Sequence, residues 1–249
     1  MTSQKQIVSP QRFAVFDIDG TLFRWQLFYS VVFELRNRGA FPEEVANEID
    51  KKYRQWKGRE TSWQDFSEPV VHAFLDNLKD LKYEQYLSAC QAVVDNEGHK
   101  VYAYTLQLLK KLKKEGYTLV AITGSQHEIA EIFTKKYGFD VCYGEKYLVE
   151  NGKFSGDVDV VYNQKDVILR QFLSDYPVHS LAGSVGVGDS RWDVKMLELV
   201  ETPIAFNPDP ELFERAKKDG WTVVIERKNI AYKLEKKGDD IVLAETIIY

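Results

Sequence analysis

Two aspartates two positions apart, Asp17 and Asp19, follow directly on the apolar run Phe13-Ala14-Val15-Phe16 and precede Gly20-Thr21-Leu22. Four apolar residues are too few for a helix and read as a strand buried on both faces, the kind found in parallel sheets. Such a strand delivers its carboxylates to the carboxyl edge of the sheet, where open α/β sheets bind ligands. Gly20 allows a sharp turn just beyond them. An Asp-x-Asp pair also opens calcium loops, but those need Gly at the sixth position and an acidic residue at the twelfth. Counted from Asp17, these positions hold Leu22 and Phe28, which argues against calcium. For this loop alone, an ordinary turn after a strand stays open, because Asp and Gly are common in turns.

Two further apolar strands end in polar residues. Residues 117–122 run into Thr123-Gly124-Ser125, and residues 184–187 into Gly188-Asp189-Ser190-Arg191-Trp192-Asp193. Thr123 could cap the helix after it, and Asp189 or Ser190 the next one. Neither reading conflicts with function, since the free N–H groups of a helix start also make a phosphate site. Lys165 opens a helix, where the dipole disfavours a cation by a few tenths of a kcal/mol or more. It must be either fully solvated or paired with an anion.

The elements that would position these residues can be read from periodicity. Residues 25–38 carry apolar side chains at 25, 28, 31, 32 and 35, a helical spacing that Gly39 ends. Pro42 opens a second helix to about residue 56. Thr61 or Ser62 caps a third, with Asp65 placed to complete a capping box around Ser62, and residues 82–95 form a fourth. No strand signal occurs between Phe23 and Asn96. About seventy helical residues therefore sit behind the first strand, a domain within a domain, whose Trp25, Trp56 and Trp63 read as core anchors. From Gly98 strands and helices alternate, as in an α/β fold. Helices are expected at 101–115, 126–137, 165–176 and from Asp209-Pro210 to Gly220, and further strands at 203–206 and 221–225. Asn151-Gly152 centres a hairpin over 143–158. The tail, residues 236–249, mixes charge with a short apolar run and has no assignable element.

The 249 residues suffice for one large domain or two smaller ones, and 44% apolar with 29% charged residues is ordinary for a soluble globular protein. A net charge of −5 gives no case for nucleic acid or an anionic membrane. An anionic substrate must then be attracted locally, by a metal or a placed cation. Only Cys90 and Cys142 are present, without ligand-like spacing, which suggests a reducing compartment and no zinc site. Residues 1–12 are polar with no apolar signal core, so a cytoplasmic location is the expectation. The four histidines, at 72, 99, 127 and 179, are scattered and read as surface or core residues.

In order, the chain presents Asp-x-Asp-Gly-Thr, then Thr123, then Lys165, then Gly-Asp-Ser-x-x-Asp. This resembles the four-motif signature of the haloacid dehalogenase superfamily, over residues 10–22 and 96–230. The helical insert after the first motif and the Asn-Gly hairpin after the second are similar to its phosphoserine phosphatase-like branch. The resemblance implies a parallel, Rossmann-like sheet as a discontinuous core (1–22 with 96–249) and an α-helical bundle cap (23–95) over its carboxyl edge. It implies a phosphatase that takes a small phosphorylated metabolite, as monomer or homodimer, with no nucleic-acid or membrane partner.

A phosphate monoester is a dianion and would repel a bare carboxylate. Magnesium held by oxygen ligands removes that obstacle. By resemblance, Asp17 and Asp189 supply side-chain oxygens to it and Asp19 its main-chain carbonyl. Asp17 would be the nucleophile and form an aspartyl-phosphate. Asp19 would protonate the leaving alkoxide and then activate water. Thr123 and Lys165, with the N–H groups around Gly20 and Gly124, would hold phosphate oxygens, and Asp193 would hold Lys165 in place. A phosphotransferase, or a silent member that has kept only the fold, are the alternatives. Phosphoserine is the first substrate to consider, but such phosphatases carry Glu nine residues after the nucleophile, to meet the ammonium group, where this chain has Gln26. They also tend to carry Asn where Trp192 stands. Another small phosphomonoester is therefore expected, with Arg24, Gln26, Arg54 and Arg59 as candidate contacts from the insert, each of which also reads as a solvated or structural residue.

Overall fold

The structure, a computed structural model, describes residues 11–249. The expectations for residues 1–10 lie outside the described part.

The first strand, β1 (Phe13–Phe16), has no exposed residue, as its unbroken apolar run demands. Four helices follow before the next strand: α1 (Leu27–Asn37), α2 (Glu43–Lys57), α3 (Trp63–Asn77) and α4 (Tyr83–Glu97). Their starts, and the ends of α1, α2 and α4, match the expected helices within two residues. The predicted capping box is present at α3: Ser62 Oγ accepts from Asp65 N, and the Asp65 carboxylate accepts from Ser62 N at 3.0 Å.

The chain then alternates through α5 (Ala103–Lys114), β2 (Thr118–Gln126), α6 (His127–Tyr137), β3 (Val141–Glu150), β4 (Lys153–Asp159) and α7 (Lys165–Asp175). It continues with β5 (Val185–Gly188), a short α8 (Val194–Leu197), β6 (Thr202–Phe206), α9 (Pro210–Asp219), β7 (Thr222–Arg227), β8 (Ile230–Lys237) and β9 (Asp240–Ile248). At the hairpin between β3 and β4, Asn151 (φ 52°) and Gly152 (φ 76°) both take left-handed backbone, as a tight primed turn requires.

One nine-stranded sheet results, in the order β4-β3-β2-β1-β5-β6-β7-β8-β9. The central pairings, β3-β2-β1-β5-β6-β7, are parallel, and both flanks end in antiparallel strands. The order reverses around β1. The chain builds outward through β2 and β3 on one side, then returns to place β5, β6 and β7 on the other. Phe16 pairs with Ala121 and with Val187, so β1 and β5 end beside β2, which runs on past them at this switch point.

Alternate strand residues point to opposite faces. Phe13 and Val15 join Leu169, Phe172 and Leu212 beneath α7 and α9. Ala14 and Phe16 join the other face, whose buried cluster runs on without a break into the helical insert through Leu27, Val31, Phe66 and Phe74. Within the insert, Trp25, Trp56 and Trp63 form one aromatic group around Phe66, whose ring stacks on Trp56 at 5.2 Å and meets Trp63 edge-on at 5.3 Å. They are anchors of the insert, as read from sequence, although Trp63 also shows 37% of its surface. Phe66 itself is fully buried. Phe66→Ala should cost about 3–5 kcal/mol of unfolding free energy. A urea titration checks this, and a shift below about 1 kcal/mol would mean that the aromatic group repacks around the gap.

Candidate active site

Three strand ends meet at the switch point. Asp17 follows β1, Asp189 follows β5, and Thr123 lies within β2, which continues four residues beyond the expected end, from Thr123 to Gln126. Lys165, the first residue of α7, completes the group. It is 4% exposed, and its ammonium donates to Asp17 Oδ1 and Asp193 Oδ1, both at 2.6 Å. Of the two states open to a cation at a helix start, the paired one is observed.

Asp193 is fully buried with both oxygens engaged. Oδ1 takes Lys165, while Oδ2 accepts from the N–H groups of Asp189 and Ser190 and from the Ser190 hydroxyl. It thereby fixes the loop after β5 and Lys165 at once. Asp17 differs: its Oδ2 is buried without any hydrogen-bond partner. Buried polar atoms are rarely left so, since desolvation goes uncompensated. Carboxylate oxygens of Asp17, Asp189 and Asp193 all lie within 4.8 Å of one another, with one lysine as countercharge.

The electrostatics follow from that crowding. Burial pushes the Asp17 carboxyl up to about 7, Lys165 opposing and Asp193 and Asp19 reinforcing. Burial, then Asp17 and Asp193, hold Asp189 well above the ordinary carboxylate range. Burial alone would lower Lys165, but the Asp17 and Asp193 carboxylates outweigh it, and the lysine stays charged.

Asp19 turns away from this cluster toward the insert. Its Oδ1 accepts from Leu27 N at 2.6 Å, one of the free N–H groups at the start of α1. Its Oδ2 accepts from the hydroxyls of Thr123 (2.7 Å) and Ser125 (2.6 Å). Ser125 Oγ in turn accepts from Phe28 N. Thr123 is therefore bonded to Asp19 and caps no helix. Burial raises the Asp19 pKa against these bonds. Gly20 takes φ +82°, and a Cβ there would fall on the Asp189 carboxylate, so both backbone and space require glycine. A Cβ on Gly124 would press on Tyr162 Cβ at 2.8 Å.

A cleft of about 710 Å³ opens above these groups, lined from the core by Asp17, Asp19, Gly124, Lys165 and Asp189. Of the candidate contacts from the insert, Gln26 lines it, while Arg24, Arg54 and Arg59 do not. Arg24 instead pairs with Glu226 at 3.0 Å and lies over the Tyr102 ring. Glu226, buried and accepting from the N–H groups of Ala103 and Tyr104, caps α5 and draws the arginine away. Sequence reasoning gave no role to Ser125, Glu145 or Glu226. For Ser125 the signal was present, two residues after Thr123 in the same strand-end motif. For Glu226 and Glu145 it was not, because their partners are backbone groups distant in the chain.

A family model described as haloacid dehalogenase-like hydrolase matches residues 14–198. A phosphoserine phosphatase of Methanocaldococcus jannaschii is 26% identical over 209 residues, covering 83% of this chain and 90% of that one. A solved structure of a protein of unknown function from Bordetella pertussis Tohama I superposes with a TM-score of 0.69 at 20% identity, covering 87% of this chain and 98% of that one. A phospho-aspartyl intermediate analogue of phosphoserine phosphatase superposes with a TM-score of 0.59 at 22% identity, covering 88% and 94%. At such identities the two structures share the fold.

Proposed function

The chain belongs to the haloacid dehalogenase-like hydrolase family and is a phosphatase of that type, and we propose that it hydrolyses small phosphomonoesters through an aspartyl-phosphate on Asp17, with magnesium as cofactor. The observation that carries this reading is the Asp17 carboxylate on the floor of the cleft, one oxygen on Lys165 and the other without a partner.

The residues fit a divalent cation. Three clustered carboxylates outnumber their one lysine, and the orphaned Asp17 Oδ2 lacks a positive neighbour. Asp193 has no oxygen to spare, so the Asp17 and Asp189 side chains, with the Asp19 carbonyl, are the groups that would hold magnesium. When bound, it supplies the charge that lets a carboxylate approach a phosphate dianion.

The chain's own groups then do the following. Asp17 attacks phosphorus as the ester oxygen leaves, and Asp19 gives that oxygen its proton. Water, deprotonated by Asp19, attacks the aspartyl-phosphate, releasing phosphate and restoring Asp17. Lys165 has a third N–H beyond the two on Asp17 and Asp193, and this one is available to a phosphate oxygen. The Gly124 N–H would hold another, whereas the Thr123 hydroxyl, donated to Asp19, and the Gly20 N–H, donated to the Phe23 and Trp25 carbonyls, are already committed; Asp193 keeps Lys165 in position. The helical segment, taken as 23–95, serves as the cap over the cleft.

Phosphoserine is not the substrate this cleft suits. It carries an ammonium and a carboxylate; the ammonium loses a charged partner at Gln26 but has Glu68 and Glu145 elsewhere in the lining, so the case rests on the carboxylate. For the second, the insert's described contribution to the cleft wall includes neither Lys nor Arg. A missing charge-assisted bond costs about 1.5–3 kcal/mol, tens-fold in selectivity. Phosphate release over a panel of phosphomonoesters with magnesium tests the reading. Release from aryl and alkyl esters, stopped by excess chelator, is expected, with phosphoserine below the best ester in kcat/KM. Full activity in chelator would overturn the metal-assisted mechanism, and phosphoserine as the clear best substrate would overturn the specificity.

A further inference from the structure

Glu145 has no part in the chemistry above, yet it lines the same cleft as Asp17. It sits on β3 opposite Gln126, just past the bulge that bends β2 around the Thr123-Gly124-Ser125 segment. The residue is 8% exposed. Its Oε1 accepts only long bonds, 3.4 Å from Val161 N and 3.5 Å from Tyr162 N. No cation pairs with it among the described residues, and its second oxygen has no protein donor there and is left open to solvent. A buried carboxylate without a countercharge is costly, and beside a phosphate dianion it is also repulsive.

The surroundings point to what would relieve that cost. Tyr162, adjacent through Glu145's own hydrogen bond, abuts Gly124 and meets Trp192 edge-to-face at 5.1 Å. Both rings are more than a third exposed, and both line the cleft. To the same lining the insert contributes Trp63 and a second carboxylate, Glu68. Apart from Lys165, the cation of the lining is Arg191, whose guanidinium lies over Trp192 at 4.6 Å. Carboxylates beside aromatic faces are the chemistry that receives an ammonium group. A carboxylate on the substrate would be repelled by Glu145 and Glu68 and would have to draw Arg191 from Trp192.

We propose that Glu145 binds the amino group of the leaving alcohol, so that the preferred substrates are phosphate esters of amino alcohols that carry no carboxylate. This rests on the phosphatase reading of the same cleft. Such an ester brings the countercharge Glu145 lacks, and Asp17 lines the same cleft to receive its phosphate.

The test compares aminoethyl phosphate with hydroxyethyl phosphate, equal in shape and different in charge, with nitrophenyl phosphate as a reference, in wild type and Glu145→Gln. Wild type should favour the amine ester over the hydroxyl ester by about tenfold or more in kcat/KM. Glu145→Gln, which can still accept from Val161 and Tyr162, should bring that ratio close to one, chiefly by raising KM for the amine ester. A purely structural Glu145 would lower all three esters together and leave the ratio unchanged, which would overturn the proposal. So would a wild-type ratio near one, a result that decides even if the variant does not fold. Release from nitrophenyl phosphate without amine preference sinks this proposal alone. Release from none of the three sinks the phosphatase reading and the proposal with it.

Discussion

Asp17→Asn should abolish phosphate release from every ester, a loss on the order of 10⁴-fold or more in kcat, while leaving the protein folded. The amide has the size of the carboxylate but no anionic oxygen to attack phosphorus. Loss of fold would confuse the result, and the charge balance argues against it. With Asn at 17, the Lys165 ammonium keeps its 2.6 Å bond to Asp193, and one negative charge leaves a cluster that has too many. The folded Asp17 carboxyl is raised to about 7 from 3.8, so the folded state binds this proton more tightly than the unfolded chain. Its contribution to stability is complete below about 3.8 and is lost as pH rises through about 7. In metal-free protein near or above neutral pH, the ionised Asp17 is thus a cost of the site. Asp17→Asn should then melt no lower than wild type, as expected where a site keeps crowded charge for function. Turnover retained in this variant would overturn Asp17 as nucleophile. A large fall in melting temperature would show that Lys165 depends on both of its carboxylates.

What the sequence revealed and what it hid divide along physical lines. β1 was legible because a strand covered on both faces must be apolar throughout, and Phe13–Phe16 is. Lys165 was legible because a cation at a helix start is an electrostatic anomaly that asks for an anion. Asp17 and Asp189 stood out because each follows directly on a buried strand. The C-terminal hairpin did not stand out. β8 and β9 extend the sheet past β7 as its edge, and there only Ala231 is buried while Leu243 and Ile248 are exposed. An edge strand with so little covered surface needs no alternation of apolar and polar residues, so residues 236–249 gave no period to read. Arg24 proved structural, the bland one of its two readings, but its partner was hidden for another reason. Its place just behind the first motif suggested a ligand contact, but its partner Glu226 lies 202 positions on in the chain, in a strand-end role no local pattern announces. The hydrogen bonds that join Asp19 to α1 were invisible for the same reason, because they run to backbone N–H groups that every residue possesses.

Those bonds bear on the second large effect, Asp19→Asn. If Asp19 is the proton donor, removing its acidic proton should slow esters of aliphatic alcohols by about 10²–10⁴-fold and aryl esters far less, because a phenolate departs with little need of a proton. The structure gives Asp19 a competing duty. One oxygen receives Leu27 N–H at 2.6 Å, and the other receives two hydroxyls, one of which also holds Phe28 N–H. Through these contacts the start of α1, and with it the helical insert, is tied to the strand end at Asp19. Asparagine preserves most of that link. Its carbonyl oxygen can accept from Leu27, and the Thr123 hydroxyl can rotate to accept from the new amide. The acid role and the anchoring role therefore separate by leaving group. Loss of the acid changes the ratio of aryl to alkyl turnover by well over tenfold, whereas loss of the anchor lowers both alike and speeds amide exchange at Leu27 and Phe28. Measuring kcat/KM for a matched aryl and alkyl pair, with hydrogen exchange at the start of α1, decides between them. A uniform loss with faster exchange would make Asp19 the joint between insert and sheet, and would pass the proton to another group in the cleft.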